Sequence, residues 1–296
     1  MRYEFIKNQS EYSSIEEMCE CLNLSRSGYY SWLKREQSER KREDEAFKKR
    51  IEALHQKSRG RYGYRPIYHH LKDEDLGCGR DRTLRLMNEL GLSGAQKKPF
   101  KPLGTDSRHS FGYSANLLKE LGCPQRCDHV WVADTTYLLT DEGWCYLATI
   151  MDLFSRRIIG WSVSNHNDTQ LCSEALKCAV LTRAGDLPAD LIHHSDRGST
   201  YASYAYENML NGFGIRQSMS AKGNCYDNAA MESFFGRFKI SSVGDIVFTD
   251  EEHARSSIFE YIEVFYNRFR KHASLGYQNP IEFEEQFALH ERQKKC

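Results

Sequence analysis

Long apolar runs are missing from this chain of 296 residues. The best stretch, Tyr146 to Phe154, is broken by Thr149 and Asp152. It falls well short of the roughly 18 apolar residues that a membrane helix needs. An apolar segment behind the start is missing too, and Met1-Arg2-Tyr3-Glu4 does not read as a secretory signal. The expected compartment is the cytoplasm. Ten cysteines are present, but they are scattered through a large chain, so reduced thiols are expected in place of a disulfide framework. Cys123 and Cys127, with His129 close by, lack the second ligand pair of a four-ligand zinc site and are expected to be loop and core cysteines. Any a/d heptad run of three or more repeats is absent, which excludes a coiled-coil segment of its own.

A net charge is lacking as well, with 41 Lys/Arg against 41 Asp/Glu, but the charges are unevenly spread. Residues 1–120 hold 24 Lys/Arg and 18 Asp/Glu, and the remainder holds 17 and 23. A basic front half suits a polyanion, and an acidic back half suits a metal site.

What is present begins with helical spacing. Ile15, Met18 and Leu22 recur at helix period, and a second short helix runs from Ser25, a good N-cap, to Leu33. The pair reads as a helix-turn-helix or as a plain helical hairpin. Glu36 to Arg50 reads as a solvated helix. In Arg59-Gly60-Arg61-Tyr62-Gly63-Tyr64-Arg65, arginines alternate with aromatics and glycines, which makes Arg61 and Arg65 candidates for gripping phosphates. Two more helices follow, Ile67 to Leu71 and Arg82 to Leu90, the second ended by Gly91. Lys97, Lys98 and Lys101 lie in a basic stretch containing Pro, Gly and Ser and are further candidates for DNA contact. The expected division is a helical DNA-binding region over 1–100, a basic linker over 101–122, a catalytic core over 123–285 and a tail over 286–296.

From Asp128 the period changes to two. Val130 to Leu138, Trp144 to Leu153 and Arg157 to Val163 read as three strands of an antiparallel meander. A helix over Thr169 to Thr182, a strand over Asp190 to His194, a helix over Tyr201 to Leu210 and a strand over Ile215 to Met219 come next. Helices over Ala229 to Ile240, over Glu251 to Phe269 and from Pro280 complete the chain. This is the element order of the ribonuclease-H-like fold: α/β, a mixed sheet flanked by helices, here behind an all-α helix-turn-helix-type region.

Three acids are candidates for chemistry, each with a plainer reading beside it. Asp134 sits mid-strand among apolar residues, where a bare carboxylate is unfavourable unless paired or metal-bound. Asp196 ends a strand, where sites are built but where caps and turns also sit. Glu232 lies beside the apolar stripe of Met231, Phe234 and Phe238, on a helix face that could simply be solvated. Asp152 competes with Asp134, although a turn or a pairing with Arg156 or Arg157 would explain it. His194, two residues before Asp196, is a candidate to support the site from behind. Asn224 and Asn228 would order the loop before the Glu232 helix or touch DNA.

The segments Trp131-Val132-Ala133-Asp134-Thr135-Thr136-Tyr137, Ile150-Met151-Asp152-Leu153-Phe154-Ser155-Arg156, His194-Ser195-Asp196-Arg197-Gly198-Ser199 and Gly223-Asn224-Cys225-Tyr226-Asp227-Asn228-Ala229 follow one another in order. Glu232-Ser233-Phe234-Phe235 and the tail Tyr266-Asn267, Arg270, His272, Leu275-Gly276-Tyr277 and Pro280 come after them. With these, the chain resembles the DDE transposases of bacterial insertion sequences, specifically the second-frame (B) proteins of the insertion-sequence-three family, whose core is like that of retroviral integrases. The 35 residues between Asp196 and Glu232 match the family's spacing, and Lys239 stands where the family places Lys or Arg, seven residues after its glutamate. Ser25-Arg26-Ser27-Gly28-Tyr29-Tyr30 and Gly63-Tyr64-Arg65 resemble its N-terminal region.

The resemblance implies that Asp134, Asp196 and Glu232 are catalytic and bind two Mg²⁺ (or Mn²⁺) ions. It implies Lys239 as a DNA contact. The reaction would be cleavage at an element end that frees a 3′-hydroxyl, followed by attack of that hydroxyl on a second phosphodiester. The partners would be double-stranded DNA, both terminal inverted repeats and target, and further copies of the chain on that DNA. The missing heptads fit a B portion that is joined by frameshift to the upstream-frame (A) product. A metal-dependent nuclease of the same fold and a catalytically inactive DNA-binding regulator are the alternatives.

Overall fold

The computed structural model describes residues 2–34, 38–95, 113–220, 229–243 and 247–295. Three short helices open the chain, α1 (Arg2–Gln9), α2 (Ile15–Cys21) and α3 (Arg26–Leu33). Ser25 caps α3 by accepting the Gly28 N–H at 3.3 Å, as its position predicts. These helices close over a small apolar centre of Ile6, Met18, Cys19 and Tyr29. The sequence pattern missed α1, which has only one buried residue, Ile6, and no periodic stripe to mark it.

Next come α4 (Glu39–Lys57), α5 (Tyr64–Asp73) and α6 (Arg80–Glu89). α4 runs a full two turns beyond the solvated stretch expected from charge, because Ile51 and Leu54 are buried against the helices that follow. Its far end continues into the turn Arg59-Gly60, where both residues take positive φ, 52° and 73°. Glycine tolerates that conformation without a Cβ clash; at Arg59 it is strained. The turn swings Arg61 and Tyr62 back toward the rest of the molecule.

The segment from Tyr113 onward, expected as linker, is bound to the sheet. Ser114 Oγ donates to Gln217 Oε1 at 2.8 Å, and the Leu117 N–H donates to Ser218 Oγ at 2.9 Å. A one-turn helix, α7 (Leu118–Leu121), follows. The sheet contains β1 (Val130–Thr140), β2 (Gly143–Asp152), β3 (Ile158–Ser164), β4 (Ile192–Ser195) and β5 (Arg216–Met219) in the order β3-β2-β1-β4-β5. β1, β2 and β3 form the expected antiparallel meander; β4 runs parallel to β1, and β5 parallel to β4. β1, which will carry the first acid, is thus central.

One face of the sheet is covered by α8 (Thr169–Thr182) and α9 (Tyr204–Gly212). α8 lies unusually close to β3. A Cβ on Gly160 would meet the Ala175 carbonyl and stand 2.6 Å from the Ala179 nitrogen, so only glycine fits there. The other face is covered by α10 (Ala229–Phe238) and α11 (Glu251–Phe259), with α12 (Pro280–Lys295) closing the chain. α10 and α11 each end in a π-helical turn, Lys239–Val243 and Glu260–Tyr266. The sequence pattern reads Glu251 to Phe269 as one plain α-helix and ends the other at Ile240, because a π-helical turn differs in its backbone hydrogen bonds and carries no side-chain signature of its own. Ile51, Leu54, Tyr62, Ile67 and Leu86 from the front helices share one continuous apolar core with Val130, Val132, Phe234, Tyr261 and Phe265. Among the described residues no helix is long and apolar enough to cross a membrane.

Candidate active site

Alternation along β1 sends Val130 and Val132 into the core beneath α10, and Asp134 follows them on the same face. Val132 pairs with His194 across the parallel β1–β4 ladder. Two residues further along stand Asp134, in the middle of β1, and Asp196, just past the end of β4. α10 packs across β1 and supplies Glu232 from its first turn. Met231, Phe234, Phe235 and Phe238 bury the helix and leave Glu232 exposed on its flank.

The acids act on one another. The Asp134 carboxyl is pushed up to about 8 by burial and then by the Asp196 charge. The Thr135 N–H, donating to Asp134 Oδ1 at 2.8 Å, opposes this. The Glu232 charge raises it further, and Lys239 pulls it down. Asp196 is oriented by its own turn, with Oδ1 accepting the Gly198 N–H at 2.9 Å. Lys239 begins the π-helical turn after α10, half-buried, with Nζ 4.5 Å from the centre of the Tyr137 ring. Burial lowers its pKa while the Asp134 charge raises it. Tyr137 is a part of this site that sequence reasoning missed. It faces away from Asp134 in strand alternation, and only the position of the turn after α10 brings the lysine over its ring.

The supporting candidates fall in different places. His194 is fully buried, and its Nδ1 lies 2.9 Å from Ser218 Oγ, so the ring bridges β4 and β5. Arg61 packs inside the molecule, its side chain only 7% exposed and paired with Glu260 at 2.9 Å. An arginine so placed is not available to a phosphate, which corrects its reading as a DNA contact: what interleaving with aromatics signalled there was packing. Arg65 is exposed, with Nε donating to the Tyr64 hydroxyl at 3.2 Å. Lys97, Lys98, Lys101, Asn224 and Asn228 lie outside the described residues.

Asp152, the competing acid, is fully buried at the end of β2. Its Oδ1 accepts the Phe154 and Ser155 N–H groups at 2.9 and 2.8 Å, and its Oδ2 accepts the Asp128 N–H at 2.6 Å. The expected turn role is there, but the expected arginines are not. Arg183, from the end of α8, is the cation beside it at 3.8 Å, while Arg157 goes to Glu284 at 2.7 Å. Burial raises the Asp152 carboxyl, to about 6, against these donors. Arg183 also binds Asp128 at 2.8 Å and Glu284 at 2.6 Å. Ligand-type atoms of the trio Cys127, Asp152 and Glu284 lie within 4.8 Å of one another. Two guanidinium groups already fill its electrostatic need, so it is an ion-pair network. Cys123 is exposed and outside it, and His129 stands 3.8 Å from Asp190, so the Cys123/Cys127/His129 group does not assemble.

Residues 41–100 match the family model described as an HTH-like domain. Residues 124–225 and 213–280 each match an integrase core domain. The chain is 43% identical over 270 residues to the insertion element IS600 uncharacterized 31 kDa protein of Shigella sonnei, covering 91% of this chain and 98% of that protein. It is 37% identical over 287 residues to transposase InsF for insertion sequence IS3A of Escherichia coli (strain K12), covering 96% of this chain and 98% of that protein. A chain of the simian T-cell lymphotropic virus intasome is 13% identical, covers 79% of this chain and 74% of its own, and has a TM-score of 0.43, a likeness too loose to argue from.

Proposed function

The chain belongs to the transposases of IS3-type insertion sequences, and from that premise we propose that it cuts and rejoins DNA strands at Asp134, Asp196 and Glu232. The observation that carries this assignment is the state of Asp134. Its carboxyl stands in the field of two other carboxylates, has one backbone N–H as donor among the described residues, and is held far above the ordinary carboxylate range. Such a cluster calls for a cation. Its donors are carboxylate oxygens, which suits a hard ion such as Mg²⁺ or Mn²⁺. Two such ions, about 3.5–4 Å apart, would serve the attacking and the leaving oxygen of an in-line displacement.

Asp134, Asp196 and Glu232 would hold the ions, which when bound activate the attacking oxygen and stabilise the leaving one. The protein's own part is orientation. The Thr135 N–H aims the Asp134 carboxylate, and the Gly198 N–H aims that of Asp196. Lys239, braced on the Tyr137 ring, would place a positive charge beside the reacting phosphate. The DNA partners would be the element ends and a target duplex, engaged by several copies of the chain. Arg65 and the lysines 97, 98 and 101 would contribute phosphate contacts, and Asn228 would order the entry to α10. Fusion to an upstream-frame product fits the missing heptads.

The test is a joining assay with Mg²⁺, using a labelled duplex that ends in the element's terminal repeat. Joined products are expected from the wild-type chain. Glu232→Gln should abolish cleavage and joining while DNA binding persists. Nicks without joined products would identify a nuclease. Equal loss of binding in the variant would make Glu232 structural. Binding itself should weaken steeply with added salt as counterions are released.

A further inference from the structure

We infer that Arg61 is a positioning residue for the active site, tying the HTH-like region to the segment that carries Glu232 and Lys239; this rests on the function proposed above. Its planar guanidinium makes three directed bonds at once. Nη1 and Nη2 donate to the two carboxylate oxygens of Glu260 at 3.2 and 2.9 Å, and Nε donates to the Ser241 carbonyl at 3.1 Å. Glu260 opens the π-helical turn after α11, and Ser241 lies in the π-helical turn after α10, two residues beyond Lys239. The guanidinium carbon also sits 4.6 Å from the Phe265 ring centre and 5.2 Å from that of Tyr261. Tyr261 in turn packs edge-on against Phe238, the last residue of α10, at 5.1 Å.

A single side chain from the front region therefore contacts both π-helical turns. A π-helical turn is a wide, poorly bonded piece of helix, common where a helix is tuned for function. Its carbonyls need partners, and Arg61 supplies one next to the lysine. The joint is built around this contact. The positive φ of Arg59 and Gly60 turns the chain toward it, and the Tyr62 hydroxyl donates to the Phe269 carbonyl at 2.9 Å on the other side. Neutral stabilisation would need only the ion pair. The third bond, to a backbone carbonyl beside Lys239, is what positioning requires.

The experiment uses the full chain and a pre-cut element end with a 3′-hydroxyl, in Mg²⁺. Arg61→Lys keeps the charge but cannot make three planar bonds at once. It is expected to lower the turnover of joining by on the order of tenfold to a hundredfold, the scale of a small misplacement, at unchanged Kd for DNA and unchanged thermal midpoint. Arg61→Met keeps the apolar packing against Tyr261 and Phe265 while Arg59, 3.2 Å from Glu260, still neutralises that carboxylate, but it leaves the Ser241 carbonyl without its donor. It is expected to remain slow, and it decides the matter if Arg61→Lys unfolds. Wild-type turnover in either variant would overturn the inference, as would a loss of DNA affinity matching the loss of rate. Glu232→Gln runs beside them. If the wild type does not join DNA, or Glu232→Gln still does, the functional reading fails; if those controls behave and the Arg61 variants are fast, only this inference fails.

Discussion

Two aspartates stand on neighbouring strands of the same sheet, Asp134 on β1 and Asp152 on β2, and burial raises the pKa of both. Around Asp152 every demand of the carboxylate is met. Backbone N–H groups come from Asp128, Phe154 and Ser155, and Arg183 stands behind with Arg157 and Glu284 completing the network. Around Asp134 the neighbouring charges are Asp196 and Glu232, opposed by Lys239, and among the described residues its hydrogen-bond donor is the Thr135 N–H. The difference separates a buried acid that holds the fold from one that awaits a cation. Burial alone does not make a site; unmet charge does.

The sharpest way to break this comparison is on activity. Asp134→Asn should lower joining by about 10³-fold or more, in line with single groups that stabilise charge in a transition state. Asp152→Asn should leave the rate per folded molecule unchanged. Equal losses in both would erase the distinction. The next effect runs the other way. Asp152→Ala removes the acceptor of three N–H groups and a partner of Arg183, and should cost roughly 3 kcal/mol. Calorimetry should find the thermal midpoint lower by roughly 6–12 °C; an unchanged midpoint would show that the network contributes nothing.

Smaller effects follow from the raised carboxyl of Asp134. The folded value, about 8, lies above the unfolded value near 4. Its contribution to stability is therefore complete below about pH 4 and is lost as pH rises through about 8. In metal-free buffer Asp134→Asn should raise the thermal midpoint at pH 8, where the unfolded state alone is fully ionised. It should raise nothing at pH 4, and a constant offset across that range would contradict the linkage. Last, millimolar Mg²⁺ should raise the midpoint of the wild type and of Asp152→Asn by a similar few degrees, roughly 1–3 kcal/mol of mass action. Asp134→Asn should not respond.

Much of this arrangement is legible in residue order. Period-two alternation over Val130 to Leu138 puts Asp134 on the face of Val132, and the run of strand, helix and strand describes a mixed sheet, while the central place of β1 shows only in the folded sheet. The apolar stripe of Met231, Phe234 and Phe238 put Glu232 on the flank of α10, where it is found. Less legible were α1, too short and too weakly amphipathic to stand out, and the two π-helical turns, which differ from α-helix in backbone hydrogen bonding and not in residue type. Arg61 was misread because an arginine among aromatics looks the same whether it faces a phosphate or stacks on Phe265; its partner Glu260 is 199 residues away.

What the sequence by itself determined is the set of local choices: where strands and helices run, where they stop, and which acids sit in apolar settings. Those follow from side-chain period and backbone preference, which act over a few residues. Tertiary structure alone decided which buried acid is satisfied and which is not. Arg183 and Glu284 reach Asp152 from α8 and α12, and Asp196 and Glu232 reach Asp134 from β4 and α10. Charge acts through space and falls with distance through a medium set by burial, so the balance at each aspartate exists only once those elements have packed together.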